Sequence, residues 1–147
     1  MESFNMESVA MGAVRVKVKL TNAIDEAMVN RGVLAPHLLR EVETEALVDT
    51  GALTLVLPMH IVEQLGLRIR GRQVARYANG LEETVGVTEP VLIECEGRET
   101  VDEGLVVGDE VMLGQVILEK LDFLVDCKNQ QLVPNPANPD YPVAIIK

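Results

Sequence analysis

From Val14 to Leu20, apolar and basic residues alternate without exception, and this pattern indicates a β-rich fold more firmly than any other stretch of the chain. A period of two places apolar side chains on one face of a strand and charged side chains on the other. Hydrophobic residues make up 48% of the 147 residues, yet aromatics make up only 3% and there is no Trp. The core must therefore consist of Val, Leu and Ile, which pack well on pleated sheets.

The remaining patterns predict a single, mostly-β domain over residues 1–147, with a loose N-terminal arm at 1–12 and a Pro-rich tail at 134–147. The pairs Asn79-Gly80 and Glu96-Gly97 are turn signals, and each predicts a hairpin. Residues 21–40 are interpreted as an irregular polar connection, with Asn22 and Pro36 among its breakers. The other predicted elements are a strand at 41–49, an apolar run at 53–57, hairpins at 72–87 and 87–107, helices at 59–65 and 115–121, and strands at 123–125 and 131–133.

The acidic balance of the chain restricts its partners. The formal net charge of −10 would repel both nucleic acid and an anionic membrane surface. Cys95 and Cys127 are too few for a disulfide framework, so we interpret both as free, partly buried thiols in a reducing compartment. The sequence shows neither a secretory signal nor an apolar run long enough to span a bilayer. We therefore expect a cytoplasmic protein.

Several common catalytic sites are excluded by the residues present. Ser3 and Ser8 are the only serines, and neither lies in the strained turn of a serine hydrolase. His37 and His60 have no carboxylate or cysteine at ligand spacing, whereas a metal site needs three or four converging ligands. We therefore expect neither a metal ion nor another cofactor.

The stretch from Leu47 to Ala52 carries the strongest chemical signal. Asp49 follows the wholly apolar end of a predicted strand and precedes Thr50 and Gly51. A carboxylate in such a place is costly unless it is hydrogen-bonded or functional. Asp, Thr and Gly are also ordinary turn formers, so the triplet alone is compatible with a simple turn.

The motif does not stand alone. Asp49-Thr50-Gly51-Ala52 resembles the active-site motif of retroviral-type aspartic proteases, and Val111-Met112-Leu113-Gly114 with the helix after it resembles that family's second signature. The hairpin at Asn79-Gly80 lies between them, where the family keeps its flap. The stretches Leu55–Pro58 and Leu121–Asp126 are similar to the bacterial, single-domain branch. The resemblance covers roughly residues 41–136 of the chain.

The resemblance implies an all-β, acid-protease fold: a closed, barrel-like sheet with a flap hairpin and one or two short helices. It also implies an aspartic endopeptidase that is an obligate homodimer, because the sequence holds one Asp-Thr-Gly and the second carboxylate must come from a second copy. The paired Asp49 carboxylates would share one proton and activate a bridging water, which puts the activity optimum on the acid side. The implied residues are Asp49, Thr50 and Gly51 for catalysis, Ala52, Tyr77, Ala78, Asn79 and Gly80 for substrate binding, and Leu113 and Gly114 as the structural second signature.

Two positions depart from the family pattern. Leu53 stands where members often have Asp or Ser, and Gln115 stands where viral members have Arg, so the residues of the usual inter-subunit ion pair are missing. Residues 143–146 could interleave with a second copy or stay unpaired.

A non-catalytic dimeric module that binds peptides on the same fold is an alternative to the protease, as is a structural β domain in which Asp49 merely ends a strand. The aliphatic composition suggests apolar side chains flanking the cut.

Overall fold

The computed structural model describes residues 13–146, so the expected N-terminal arm at 1–12 lies outside the described residues. Strands dominate this range, and they are joined by three short α-helices and a 3-10 turn at Pro36–Leu38. The helices are α1 (Ala23–Asn30), α2 (Met59–Gln64) and α3 (Gln115–Leu121). The strands are β1 (Val14–Asn22), β2 (Glu41–Val48), β3 (Leu55–Leu57), β4 (Ile69–Arg76), β5 (Glu82–Thr88), β6 (Val91–Cys95), β7 (Arg98–Asp102), β8 (Gly104–Val106), β9 (Val111–Leu113), β10 (Phe123–Asp126) and β11 (Gln131–Pro134).

Most strands join one 9-stranded sheet in the order β4-β5-β8-β3-β9-β2-β1-β6-β7, and β10 and β11 form a separate 2-stranded sheet. The all-β prediction, the two hairpins and the helices at 59–65 and 115–121 are confirmed. The sheet is open, with β4 and β7 at its edges, so the ladder does not close into the expected barrel. The short β8 and β3 connect the β4–β5 hairpin to the rest of the sheet, which leaves that hairpin projecting.

The core lies on the apolar face that the alternation in β1 predicts. Val16, Val18 and Leu20 are buried, whereas Lys17 between them is exposed. β1 pairs with β2 in antiparallel register from Val14↔Val48 to Thr21↔Glu41. Helices α2 and α3 cover this face with the buried side chains Ile61, Val62, Ile117, Leu118 and Leu121. The core is almost entirely aliphatic, as expected.

The interpretation of residues 21–40 as irregular is wrong for Ala23–Asn30, which form α1. Asn22 is not a breaker but the N-cap of this helix, because its side-chain oxygen accepts a hydrogen bond from the backbone N–H of Asp25 at 3.0 Å. Its amide also donates to the carbonyl of Leu65 at 2.8 Å. Asp25 in turn accepts from the guanidinium and the backbone N–H of Arg40. These contacts fasten α1 to the start of β2.

The turn of the β4–β5 hairpin differs in type from a two-residue Asn-Gly turn. Tyr77 N–H donates to Leu81 O at 2.8 Å, and Gly80 N–H donates to Tyr77 O at 2.9 Å. The loop therefore contains three residues, and only Gly80 has a positive φ, +87°. This is a turn followed by a left-handed residue, the second commonest way to close a hairpin. The β6–β7 hairpin turns through Glu96 and Gly97, both with positive φ, as the sequence predicts.

The two cysteines lie in different environments. Cys95 is buried in the core, and burial raises the pKa of its thiol to about 12. Cys127 is exposed, so the expectation that both thiols are partly buried is wrong for this residue, which follows the end of β10. His37 and His60 are exposed. Among residues 13–146, no helix is long and apolar enough to cross a membrane.

Candidate active site

The Asp49 loop begins where β2 ends. The position of the loop is fixed by β9, the strand that pairs in parallel with β2. β9 lies between β2 and β3, the two strands that flank the loop. It pairs in parallel with β2, Val48 opposite Leu113, and antiparallel with β3, Leu55 opposite Leu113. The backbone N–H of Asp49 donates to Leu113 O at 3.0 Å, which carries the ladder one residue beyond the strand. Asp49 is thereby held at the carboxyl end of β2, beside β9.

The loop is a tight turn organised by Asp49 itself. The N–H of Gly51 donates to Asp49 Oδ1 at 2.9 Å, and the N–H of Ala52 donates to the Asp49 carbonyl at 3.0 Å. A Cβ at residue 51 would lie 3.2 Å from Asp49 Oδ1, so glycine allows this close approach. Asp49 is half-buried, while Thr50 and Gly51 are exposed. Among the described residues no ion pair engages the Asp49 carboxylate.

Gly114 locks the other side of the same loop. Its N–H donates to Thr54 O at 3.0 Å, and the next two backbone N–H groups, of Gln115 and Val116, donate to Ala52 O and Leu53 O at 2.9 Å each. A Cβ on Gly114 would lie 2.5 Å from Thr54 O and 2.7 Å from Ala52 O, closer than any real contact. Only glycine fits between these backbones, so Leu113 and Gly114 form the support beneath the Asp49 loop. We call residues 49–54 together with Leu113 and Gly114 the floor.

Tyr77, Ala78, Asn79 and Gly80 lie together at the tip of the β4–β5 hairpin, and all four are exposed. In the sheet, β8 and β3 separate this hairpin from β9 and the floor. Its turn is held by local bonds, including Asn79 Oδ1, which accepts from Leu81 N–H at 3.0 Å. We call residues 69–88 the flap. The structure thus groups the predicted site residues into two separate units, the floor and the flap tip.

Two features within these units were not predicted from the sequence: the exposure of Leu53 and the hydrogen bond of Glu83. Leu53, between Ala52 and Thr54, is 69% exposed, which is unusual for a leucine next to a core strand. Glu83 of β5 accepts a short hydrogen bond from the Tyr77 hydroxyl. The alternation along a strand could have identified Glu83, since residues two positions apart share a face and Leu81 is opposite Tyr77.

The arrangement limits the chemistry that is available. Among the described residues, no group of three His, Cys, Asp or Glu could hold a metal ion. A groove of about 560 Å³ lies between β1–β2 and the tip of the β6–β7 hairpin and is lined by residues such as Lys17, Glu43 and Cys95. It contains none of the predicted site residues, so its size does not make it the reaction site. What the floor offers is a carboxylate on a rigid backbone, suited to proton transfer.

The comparisons with known proteins agree with this geometry. A family model described as Aspartyl protease matches residues 35–128. The chain belongs to the aspartyl protease family. The matched range includes the Asp49 loop, the flap and the Leu113-Gly114 support, so the family pattern covers both units of the site. No curated protein sequence matches the chain significantly.

Several solved structures resemble this aspartyl protease family member. The retroviral protease-like domain of Ddi1 from Leishmania major has 16% identity and a TM-score of 0.50, over 84% of this chain and 90% of that one. A retropepsin-like aspartic protease from Rickettsia conorii has 18% identity and a TM-score of 0.48, over 78% and 85%. The EIAV protease complexed with the inhibitor HBY-793 has 28% identity and a TM-score of 0.44, over 54% and 77%. The family match and the fold shared with the Leishmania domain confirm the predicted retropepsin-like relationship.

Proposed function

We propose that this chain is an aspartic endopeptidase that acts as a homodimer. The observation that carries the proposal is the floor: a single Asp-Thr-Gly loop whose Asp49 is half-buried and whose backbone is locked by Leu113 and Gly114. Rigid backbone support of this kind suits a catalytic group, which must be held within a fraction of an ångström of its productive position. Membership of the aspartyl protease family supports the same chemistry.

The single motif is the reason for requiring two copies. Aspartic protease chemistry uses two carboxylates, and this chain holds one Asp-Thr-Gly. Asp49 and the partner's Asp49 meet across a two-fold axis, which makes the interface self-complementary. Thr50 is exposed in the single subunit and is therefore free to hydrogen-bond across that axis. The exposure of Gly51 allows the two loops to approach closely.

The paired carboxylates divide the work of proton transfer. Two carboxylates about 3 Å apart do not both ionise readily, so they share one proton. The ionised Asp49 takes a proton from the bridging water as its oxygen attacks the peptide carbonyl carbon. The partner's Asp49, which is protonated, donates to the carbonyl oxygen. The resulting tetrahedral intermediate collapses as the C–N bond breaks: the amine nitrogen receives the proton that Asp49 took from the water, and the hydroxyl proton returns to the partner's Asp49 as the carbonyl re-forms.

In this proposal the flap covers the bound substrate. Its hairpin projects from the sheet, and its tip, Tyr77 to Gly80, carries exposed side chains and a left-handed glycine. An extended peptide between the floor and the flap binds as an added strand, with Ala52 on the floor side. Closing the flap excludes water from the reacting bond.

The C-terminal tail is a further part of the proposed dimer. Val143 N–H donates to the carboxylate of Asp122 at 3.0 Å, while Ile145 and Ile146 are 90% and 91% exposed. Pairing of residues 143–146 with the same segment of the partner covers this apolar surface. Truncation after Pro139 is expected to weaken the dimer in sedimentation equilibrium. An unchanged dimer would remove the tail from the interface.

The expected location belongs to the same proposal. We expect the protease to act in the cytoplasm, as one domain, with both thiols reduced. Cys95 is buried and Cys127 exposed, and both are free in the structure. Free thiols are typical of reducing compartments.

A peptide-binding module on the same fold is the second candidate. The exposed Leu53 and Gln115 favour it, because neither can form the usual ion pair between subunits. Cleavage of an unbiased peptide library at acid pH separates the two functions. The protease predicts cleavage that pepstatin inhibits and that Asp49→Asn abolishes. A folded dimer that binds peptides and never cleaves them, or an Asp49→Asn variant that retains cleavage, would contradict it.

A further inference from the structure

The two faces of the flap hairpin differ in character. The pairs Gln73↔Val85 and Ala75↔Glu83 define one face, which continues to Tyr77 and Leu81 at the tip. Val85 is only 5% exposed, which marks this face as the one turned towards the body of the molecule. We call it the inner face. The pairs Val74↔Thr84 and Arg76↔Glu82 lie on the outer face, and these four residues are all exposed.

Glu83 is the one charged residue on the inner face of the hairpin between Gly71 and Val87. Its neighbours on that face are apolar or uncharged: Gly71, Gln73, Ala75, Tyr77, Leu81, Val85 and Val87. Its bond is the hydrogen bond from the Tyr77 hydroxyl, and this bond to a carboxylate raises the pKa of Tyr77. No salt bridge to Glu83 occurs among residues 13–146.

The adjacent Glu82 shows the opposite arrangement. It lies on the outer face and pairs with the guanidinium of Arg76 at 2.6 Å, with 46% of its side chain exposed. Its charge is already matched and remains in water whether or not a peptide binds. Glu82 and Glu83 are therefore two identical side chains, next to each other in the sequence, in contrasting surroundings.

Peptide binding beneath the flap changes the surroundings of Glu83. A peptide against the inner face removes water from this carboxylate, and a desolvated carboxylate without a cation is costly. The Tyr77 hydroxyl supplies a hydrogen bond but no positive charge. A Lys or Arg side chain of the peptide supplies both, because it donates hydrogen bonds to the remaining carboxylate oxygen and matches its charge.

We propose that Glu83, held in place by Tyr77, is a specificity-determining residue that selects peptides with a Lys or Arg side chain beneath the flap. This inference rests on the proposed function, since it assumes that the peptide lies between floor and flap. It adds a subsite for a basic side chain to a cleft that also exposes the apolar side chains of Leu53 and Leu81. The recognition needs no catalytic step, so binding alone can test it.

The test uses uncleavable peptides with a statine unit in place of the scissile bond. At each of the six positions around statine, norleucine is replaced by Lys in turn, and dissociation constants are measured by calorimetry. The full chain, E83Q and E82Q are compared at the same pH and salt. At one position, Lys is expected to strengthen binding to the full chain about tenfold. E83Q removes this preference, and E82Q keeps it.

Two further measurements separate the alternatives. If Glu83 only positions Tyr77, Y77F and E83Q weaken Lys and norleucine peptides equally, which would overturn the inference, as would the absence of any Lys preference in the full chain. Cleavable versions of the same peptides report on catalysis. A Lys preference without cleavage contradicts the proposed protease but supports the role of Glu83. If no peptide binds at all, both proposals fail.

Discussion

The floor and the flap are built in contrasting ways. The floor is a short loop held between two strands and the start of a helix. Besides its local bonds to Asp49, it has hydrogen bonds between backbone groups far apart in the sequence, such as Gly114 N–H and Thr54 O. The flap is a long hairpin whose bonds near the tip are local, and its ion pair Arg76–Glu82 is exposed. The bonds at the buried Gly114 are protected from water, whereas water competes for the bonds at the exposed flap tip.

This contrast indicates that the two units differ in mobility. Regions with few buried contacts open at low free-energy cost, and enzymes draw their lids from such regions. A catalytic carboxylate, in contrast, needs a support that does not move. We therefore expect substitutions in the floor to reduce the free energy of unfolding, and substitutions in the flap to change peptide affinity with little effect on folding.

The largest effect is expected at Gly114. In Gly114→Val, the new Cβ must displace the backbone of Thr54 or Ala52, because it would lie within 2.7 Å of both. We expect the free energy of unfolding to fall by about 3 kcal/mol or more, measured by urea denaturation. Gly71→Ala is the matched flap control, since nothing lies within 4 Å of its Cβ position. Equal losses of unfolding free energy in the two variants would contradict the expectation that the floor tolerates substitution less well than the flap.

The next effect compares two ion pairs. Asp25 pairs with Arg40 at 2.8 Å just before β2, and the Asp25 side chain is only 6% exposed. Asp25→Asn is expected to reduce the free energy of unfolding by about 2 kcal/mol, because Arg40 loses a buried partner. Glu82→Gln in the flap is expected to cost about 0.5 kcal/mol or less, because both partners of that pair are exposed. Equal losses of unfolding free energy for the two substitutions would show that burial of an ion pair does not set its contribution to stability.

Ionisation of Asp25 should contribute to the pH dependence of the free energy of unfolding. The hydrogen bonds from Arg40 hold the pKa of Asp25 below its ordinary value. The folded state therefore favours the ionised form, so this contribution is fully present above the unfolded pKa of about 3.9 and is lost as the pH falls through the lower folded pKa. The stability difference between the full chain and Asp25→Asn should shrink in that acid range and stay constant near neutral pH. A difference independent of pH down to full acid would contradict the assignment.

A smaller effect on folding than at Gly114 or Asp25 is expected at the turn of the flap. Gly80 has φ +87° and Gly97, in the β6–β7 turn, has φ +79°, and neither Cβ position has an atom within 4 Å. Alanine at either residue is expected to cost about 1 kcal/mol through backbone strain alone. Only Gly80→Ala should weaken peptide binding, measured by calorimetry. Equal binding losses in both variants would mean that the flap tip does not contact the peptide.

The sequence predicts those parts of the fold whose signals are local. The alternation in β1, the helix at 59–65 and the Glu96-Gly97 turn each depend on neighbouring residues, and each is confirmed. Helix α1 was missed because Asn22, a residue common in turns, serves here as an N-cap. Asn favours both roles, and in the structure its amide also donates to the carbonyl of Leu65, which lies far away in the sequence.

The residues of the candidate site could be predicted from the sequence, but their arrangement in space could not. The Asp-Thr-Gly triplet and the later Leu113-Gly114 are visible in the sequence, and the family match covers both. Their contact arises from a parallel pairing of β2 with β9, which no local pattern specifies because the partners are distant in the chain. The steric need for glycine at residue 114 follows only from that pairing.

The central claim is that two Asp49 side chains, one from each subunit, form a single catalytic site. The most direct test mixes the active chain with Asp49→Asn at constant total concentration, unfolds and refolds the mixture together, and measures peptide cleavage. If both carboxylates are required, activity falls with the square of the active fraction, to about a quarter at an equal mixture. Mixing with Asp126→Asn, a half-buried carboxylate outside the floor and the flap, should leave activity unchanged. A linear fall, to about half at an equal mixture, would show that each subunit acts alone and would contradict the shared site.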